Sequence, residues 1–251
     1  MSAALFEIAD SSSRIGLIAG FVPHPSPMTP IVKICGLSTE ETVDAALDAG
    51  ADMVGFVLFP RSPRHVDPGR AAALAERARN RADVVLLSVD MDLAALAEAV
   101  EAVRPGWLQM HGAETPEMVA MVQAALRVKA IKALPIASLA DLAETRPYET
   151  VATRLMLDAR PPQGADRPGG NGAPFDWTLL KGFAPQVPYI LSGGLTADNV
   201  GEAIRISGAE GVDVSSGVET APGKKDPELI RRFVAAVRAA DAVEKKAERV
   251  A

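Results

Sequence analysis

Cysteine is almost missing from this 251-residue chain, and the single one, Cys35, excludes an internal disulfide framework or a cluster of thiolate ligands. A reducing, cytoplasmic setting is therefore expected. Aromatic residues make up only 4% of the chain, so no aromatic patch marks an interface, and monomer and homodimer both stand as expectations. Basic residues are the minority charge, 26 Lys and Arg against 32 Asp and Glu, and they form no stripe able to displace phosphate counterions. Nucleic acid is thus not an expected partner. Nor is a membrane, because the apolar stretch Ile15 to Val22 falls far short of the roughly 20 residues a span requires. What the chain has is 48% hydrophobic and 23% charged residues, the make-up of a soluble globular protein with a sizeable core.

Residues 1–30 read as an extension and residues 31–251 as the folded domain. The extension holds Ser11-Ser12-Ser13 and then Pro23, Pro25, Pro27 and Pro30, a composition that suits a poorly ordered tail, with Met28 as an alternative start. From Ile31 short β-branched runs alternate with longer alanine- and leucine-rich stretches. Strands are predicted near Ile31–Cys35, Met53–Leu58, Val84–Val89, Trp107–Met110, Val128–Lys132, Arg154–Asp158, Tyr189–Ser192 and Val212–Ser215. Helices are predicted near Thr39–Ala49, Pro68–Arg79, Leu93–Val103, Pro116–Leu126, Leu139–Thr145, Asp176–Gly182 and Ala197–Ile206, with a last one from Pro227. Thr39 and Asp198 read as turn or helix-start signals. Eight such units over roughly 220 residues predict an α/β fold, a single (β/α)8 TIM barrel, with a doubly wound open sheet as the alternative.

In either fold ligands meet the carboxyl ends of the strands, and those ends carry the chemistry. Two glycine-bearing turns, Ser192-Gly193-Gly194-Leu195 and Ser215-Ser216-Gly217, follow the last two strands. Either alone is an ordinary tight turn, but together, after strands seven and eight, they point to a bound phosphate. Lys33 and Cys35 share one strand face, where a cation would favour a thiolate; a small buried hydrophobe is the other reading of Cys35. Asp158 ends an apolar strand, and is read either as a proton donor or as a structural acceptor for loop N–H groups. Arg64 is a forked donor suited to a carboxylate, or else a solvated loop cation. His111 is a ligand contact or a satisfied rim histidine. No His, Cys, Asp and Glu spacing matches a metal site, and Gly193-Gly194 makes no dinucleotide fingerprint, so neither metal nor cofactor is expected.

Taken in order, Lys33-Ile34-Cys35-Gly36, Gly50-Ala51-Asp52, Ser62-Pro63-Arg64, Gln109-Met110-His111-Gly112, Leu157-Asp158, Phe175-Asp176-Trp177, Leu191-Ser192-Gly193-Gly194-Leu195 and Val212 through Glu219 to Asp226 cover nearly the whole chain after residue 30. This ordered set resembles the phosphoribosylanthranilate isomerases of tryptophan biosynthesis, which are (β/α)8 enzymes without a cofactor. The resemblance implies that Cys35 is a general base, Asp158 a general acid and Arg64 the partner of the anthranilate carboxylate. It implies further that Gly193, Gly194, Ser215 and Ser216 sit at a substrate phosphate, with His111 and Asp213 near the sugar. The implied reaction is an Amadori rearrangement of an aminoaldose to an aminoketose, and the implied partner is a phosphorylated small molecule.

The chain departs from the family pattern in the extension, in the third strand (Leu87-Ser88-Val89-Asp90), in a longer Pro161-to-Pro174 loop read as a lid, and in the charged end Glu244 to Arg249. None of these touches the implied acid, base or phosphate turns. Another phosphate-binding barrel, such as indole-glycerol-phosphate synthase or an epimerase, would share the two glycine turns but has no need of the Cys35 and Asp158 pair. A non-catalytic binding module is the remaining alternative.

Overall fold

The computed structural model describes residues 29–161, 164, 168–170 and 174–248, with side chains to residue 242. The extension expected over residues 1–30 therefore lies outside the described residues, Thr29 and Pro30 excepted. Eight parallel strands close into a barrel in sequential order: β1 (Ile31–Cys35), β2 (Met53–Val57), β3 (Asp83–Ser88), β4 (Trp107–Met110), β5 (Lys129–Ile136), β6 (Arg154–Ala159), β7 (Tyr189–Leu191) and β8 (Gly211–Val214). The pairing of β1 with β8, Lys33 opposite Asp213, closes the ring. The helices are α1 (Glu40–Asp48), α2 (Pro68–Ala78), α3 (Leu93–Val103), α4 (Pro116–Leu126), α5 (Leu139–Ala143), α6 (Val200–Ser207) and α7 (Pro227–Glu248). A two-stranded hairpin, β9 (Glu219–Ala221) with β10 (Lys224–Lys225), stands between β8 and α7.

Local signals set most helix starts. Thr39, Asp67, Asp92 and Thr115 each accept an N–H from the first turn of α1 to α4, and Pro68 and Pro116 occupy first-turn positions where no N–H is needed. Three differences from the sequence reading have physical causes. Strand β5 runs on through Pro135, which is tolerated because it sits exposed near the strand end. The segment expected as a helix over Asp176–Gly182 is a 3-10 turn, Trp177–Leu180, tightened by Asp176 accepting from Thr178 N and Oγ1. Helix α6 starts at Val200 rather than Ala197: Asp198 lies in the turn before it, and Asn199 holds the cap position and folds that turn by accepting from Thr196 N and donating to Gly194 O.

The core has two compartments. Outward strand faces pack against the helices through residues such as Phe56, Leu86, Leu108, Leu155 and Phe233, all fully buried, each stabilising by roughly 1.5–3 kcal/mol relative to an exposed side chain. Inside the barrel, Met53, Val85, Trp107, Ile131, Met156 and Ile190 fill the lower layer. Above them lie Lys33, Gln109 and Asp213, then Cys35, Val57, Leu87 and Asp158. Each inward position follows from strand alternation: an apolar lower layer, a polar middle layer, and a mouth where Cys35 and Asp158 stand among Val57 and Leu87.

Candidate active site

The carboxyl mouth opens into a pocket lined by Cys35, Arg64, Gln109, His111, Asp158, Pro168, Gly169 and Gly170 together with the turns 192–195 and 213–217. The nine residues to which the resemblance gives a role all line this pocket, while Lys33 lies beneath it. The arrangement begins on β1, where the Lys33 ammonium donates to Asp213 Oδ1 at 2.6 Å. Burial works against the Lys33 charge, but Asp213 and the Cys35 sulfur beside it more than reverse that, raising its pKa above the ordinary lysine value. Cys35, one step along the same strand face, is 4% exposed. Burial pushes its thiol up, and the opposing pull of Lys33 does not offset that. Gly55 faces the pair: a Cβ there would lie 3.1 Å from Cys35 Sγ and 3.3 Å from Lys33 Nζ.

Across the mouth Asp158, the last but one residue of β6, is almost fully buried, its Oδ1 accepting from Ala159 N at 2.9 Å and its Oδ2 lying 3.2 Å from His111 Nε2. Gln109 holds the imidazole from below, its Nε2 lying 3.1 Å from His111 Nδ1. When Gln109 donates there, Nδ1 is the acceptor and His111 presents Nε2–H to the Asp158 carboxyl. Gly169 covers this pair: a Cβ on it would come within 2.7 Å of Asp158 Oδ2 and of the His111 ring. Most of the remaining loop expected as a lid lies outside the described residues.

Arg64 is not a solvated loop cation. Its stem runs over Gly36, where a Cβ would stand 2.6 Å from Arg64 Cδ. Its Nε and Nη2 donate to the two oxygens of Glu219 at 2.7 and 2.8 Å. Glu219 also accepts from Lys225 Nζ at 2.7 Å, and Lys225 donates to Ser215 O at 2.9 Å and lies 3.1 Å from Ser215 Oγ. Burial pulls the Lys225 ammonium down to about 8, against the opposing pull of Glu219. Burial would raise the Glu219 carboxyl, but Arg64 and Lys225 outweigh it and hold that carboxyl below its usual range. Gln109, Glu219 and Lys225 belong to motifs present in the sequence, yet no local pattern signals that they are buried in the site.

The two glycine turns meet. Gly193 has φ of +91°, and a Cβ there would stand 2.6 Å from Ala159 N; a Cβ on Gly217 would overlap the Leu195 carbonyl oxygen. Helix α6 starts at Val200, beyond the turn that holds Gly194, so the turns rather than the helix end shape this wall. Gly217→Ala is accordingly expected to separate the turns, weakening binding of a phosphorylated ligand about tenfold or more and destabilising the fold by about 1–3 kcal/mol. Titration calorimetry and thermal melting check this, and unchanged affinity would contradict it.

A closed parallel barrel with a buried thiol, a carboxyl and a glycine-walled recess at its carboxyl mouth is the build of a (β/α)8 enzyme working by proton transfer on a small anionic substrate. Residues 32–236 match the family described as N-(5'phosphoribosyl)anthranilate (PRA) isomerase. The chain is 59% identical over 210 residues to the N-(5'-phosphoribosyl)anthranilate isomerase of Rhodopseudomonas palustris strain BisA53, covering 84% of this chain and 96% of that relative. The crystal structure of phosphoribosyl anthranilate isomerase from Thermotoga maritima superposes with a TM-score of 0.76 at 32% identity, covering 84% of this chain and 99% of that one. A second isomerase structure, in complex with reduced 1-(o-carboxyphenylamino)-1-deoxyribulose 5-phosphate, superposes at 0.73 with 30% identity, covering 84% and 99%. The chain belongs to the N-(5'-phosphoribosyl)anthranilate isomerase family. It is an isomerase of tryptophan biosynthesis, converting N-(5'-phosphoribosyl)anthranilate to 1-(2-carboxyphenylamino)-1-deoxyribulose 5-phosphate.

Proposed function

We propose that Asp158 and Cys35 are the acid and base of this isomerisation, carried by one observation: both line the same pocket, each beside a group that can steer its proton, His111 and Lys33. Asp158 gives its proton to the furanose ring oxygen as the bond from that oxygen to C1 breaks, and the anilino nitrogen supplies the electron pair that makes C1 an iminium. The Cys35 thiolate then removes the proton on C2, and its electron pair forms the C1–C2 double bond of an enolamine. Loss of the C2 hydroxyl proton and protonation of C1 give the ketone. The substrate's own nitrogen is the electron sink for these steps.

The substrate would lie across the mouth with its phosphate against Gly193, Gly194, Ser215 and Ser216, its sugar near His111 and Asp213, and its aromatic carboxylate at Arg64. The solved relative, which holds a product analogue bearing both a carboxyl and a phosphate, supports a ligand with one group for each end of the mouth. Among the described residues no helix is long and apolar enough to cross a membrane, and we place the enzyme in the cytoplasm, where a lone thiol base stays reduced.

A pH dependence follows. Turnover requires a protonated carboxyl and an ionised thiol in the same molecule, so it falls at both ends of the pH range. As pH rises the gain of thiolate offsets the loss of the carboxyl's proton until the thiol is fully ionised, so the alkaline fall begins at the thiol's ionisation, which burial places above the ordinary value of about 8.5. Lys225 is a cation only below about 8, so KM is expected to rise from that pH while kcat still holds. Steady-state kinetics from pH 5 to 10 test both, and a kcat that declines before KM rises would contradict the assignment.

A further inference from the structure

We infer that Glu219 is a positioning residue for this reaction: it holds the Arg64 guanidinium so that the edge carrying Nη1 is presented to the substrate's aromatic carboxylate. The inference rests on Arg64 being that carboxylate's partner.

Four donors converge on the Glu219 carboxylate: Arg64 Nε and Nη2, Lys225 Nζ, and the Gly223 amide at 3.2 Å. The hairpin β9–β10 brings it there, and the hairpin turn packs tightly on the loop after β2, where a Cβ at Gly223 would overlap the Pro63 carbonyl. One edge of the guanidinium, Nε with Nη2, is thereby used in the planar, two-pronged way that carboxylates and arginine favour, and Nη2 makes a further long contact to Gly170 O at 3.5 Å. Among the described residues Nη1 donates to no protein acceptor, and it faces Gly170, where a Cβ would come within 2.5 Å of it. Any side chain at 170 would therefore block Nη1, which glycine leaves without a side chain against it.

Charge makes the same point. Arg64 and Glu219 alone would form a neutral pair with little left to attract an anion. Lys225, buried on the same carboxylate, restores one net positive charge. The adjacent Lys33 and Asp213 cancel one another. While Cys35 is a thiol this buried cluster has one cation in excess, which is costly unless an anion completes it, and the pocket is the open side. Glu219 therefore fixes direction without extinguishing the attraction.

The test compares two stable probes on the purified full chain: reduced 1-(o-carboxyphenylamino)-1-deoxyribulose 5-phosphate, and its phenylamino counterpart lacking the carboxyl. Wild type is expected to prefer the carboxylated probe by about 30-fold or more. Glu219→Gln should reduce that preference to about threefold or less while binding the carboxyl-free probe as wild type does, and Glu219→Asp should recover part of it. Full preference in Glu219→Gln, with preference lost in Arg64→Met, would overturn the inference and leave the Arg64 reading intact. Preference retained in Arg64→Met would remove the Arg64 reading and the inference together. Equal loss of both probes in Glu219→Gln, or failure of both Glu219 variants to fold, would assign Glu219 a purely structural role and overturn the inference.

Discussion

Replacing Cys35 with serine is expected to lower kcat by about 10³- to 10⁴-fold with the fold unchanged. The substitution exchanges one small buried atom for another at a position with little accessible surface, and the Lys33–Asp213 ion pair beneath it does not depend on the sulfur. Stability should therefore stay within about 1 kcal/mol of wild type. What changes is basicity. A hydroxyl beside Lys33 yields too little alkoxide to remove a proton from C2, whereas a thiol in the same place, though burial raises it, still ionises far more readily than a hydroxyl. Loss of anthranilate fluorescence during turnover measures kcat directly, and a fall of less than about tenfold would take the base role from Cys35.

Asp158→Asn is expected to be nearly as damaging, with kcat reduced by about 10³-fold. The amide keeps the side-chain volume and can still accept from Ala159 N through its oxygen. It cannot deliver a proton to the ring oxygen, so the step that opens the sugar is lost. Its NH2 group would also face His111 Nε2, 3.2 Å from the carboxylate oxygen it replaces, so the imidazole must change tautomer or turn away. His111→Gln removes only the orienting partner and should cost about tenfold. If Asp158→Asn and His111→Gln lost activity equally, the carboxyl would have no claim to a separate acid role.

The strands are legible in the sequence because barrel strands are buried on both faces and read as short β-branched runs bounded by turn residues. Inward positions then follow from alternation alone, which places Lys33 and Cys35 on one face of β1 by their spacing. Strand ends are less legible. Proline reads as a stop, yet Pro135 sits within β5 because its missing N–H falls where exposure makes it harmless. Asp198 marks the turn before α6, yet it is the neighbouring Asn199 whose side chain folds that turn. The site is legible where a residue's position on a strand end defines its direction, as for Asp158 and His111. It is not legible where partners meet through tertiary packing. Arg64 and Glu219 lie 155 residues apart, and nothing in the run Gly217-Val218-Glu219 tells that its carboxylate is buried. Lys225 is hidden in the same way, since its neighbour Lys224 is exposed and looks no different in sequence.

In the proposed mechanism one thiol and one carboxyl, both at the barrel mouth, perform the rearrangement between them. Turnover of freshly prepared phosphoribosylanthranilate by wild type, Cys35→Ser and Asp158→Asn side by side probes that pairing most directly, with binding of the reduced product measured on the same preparations. Rapid wild-type turnover is expected, with both variants binding the reduced product within about threefold of wild type while turning substrate over by orders of magnitude more slowly. A variant that retains wild-type turnover, or one whose lost turnover is matched by lost binding, would contradict the pairing.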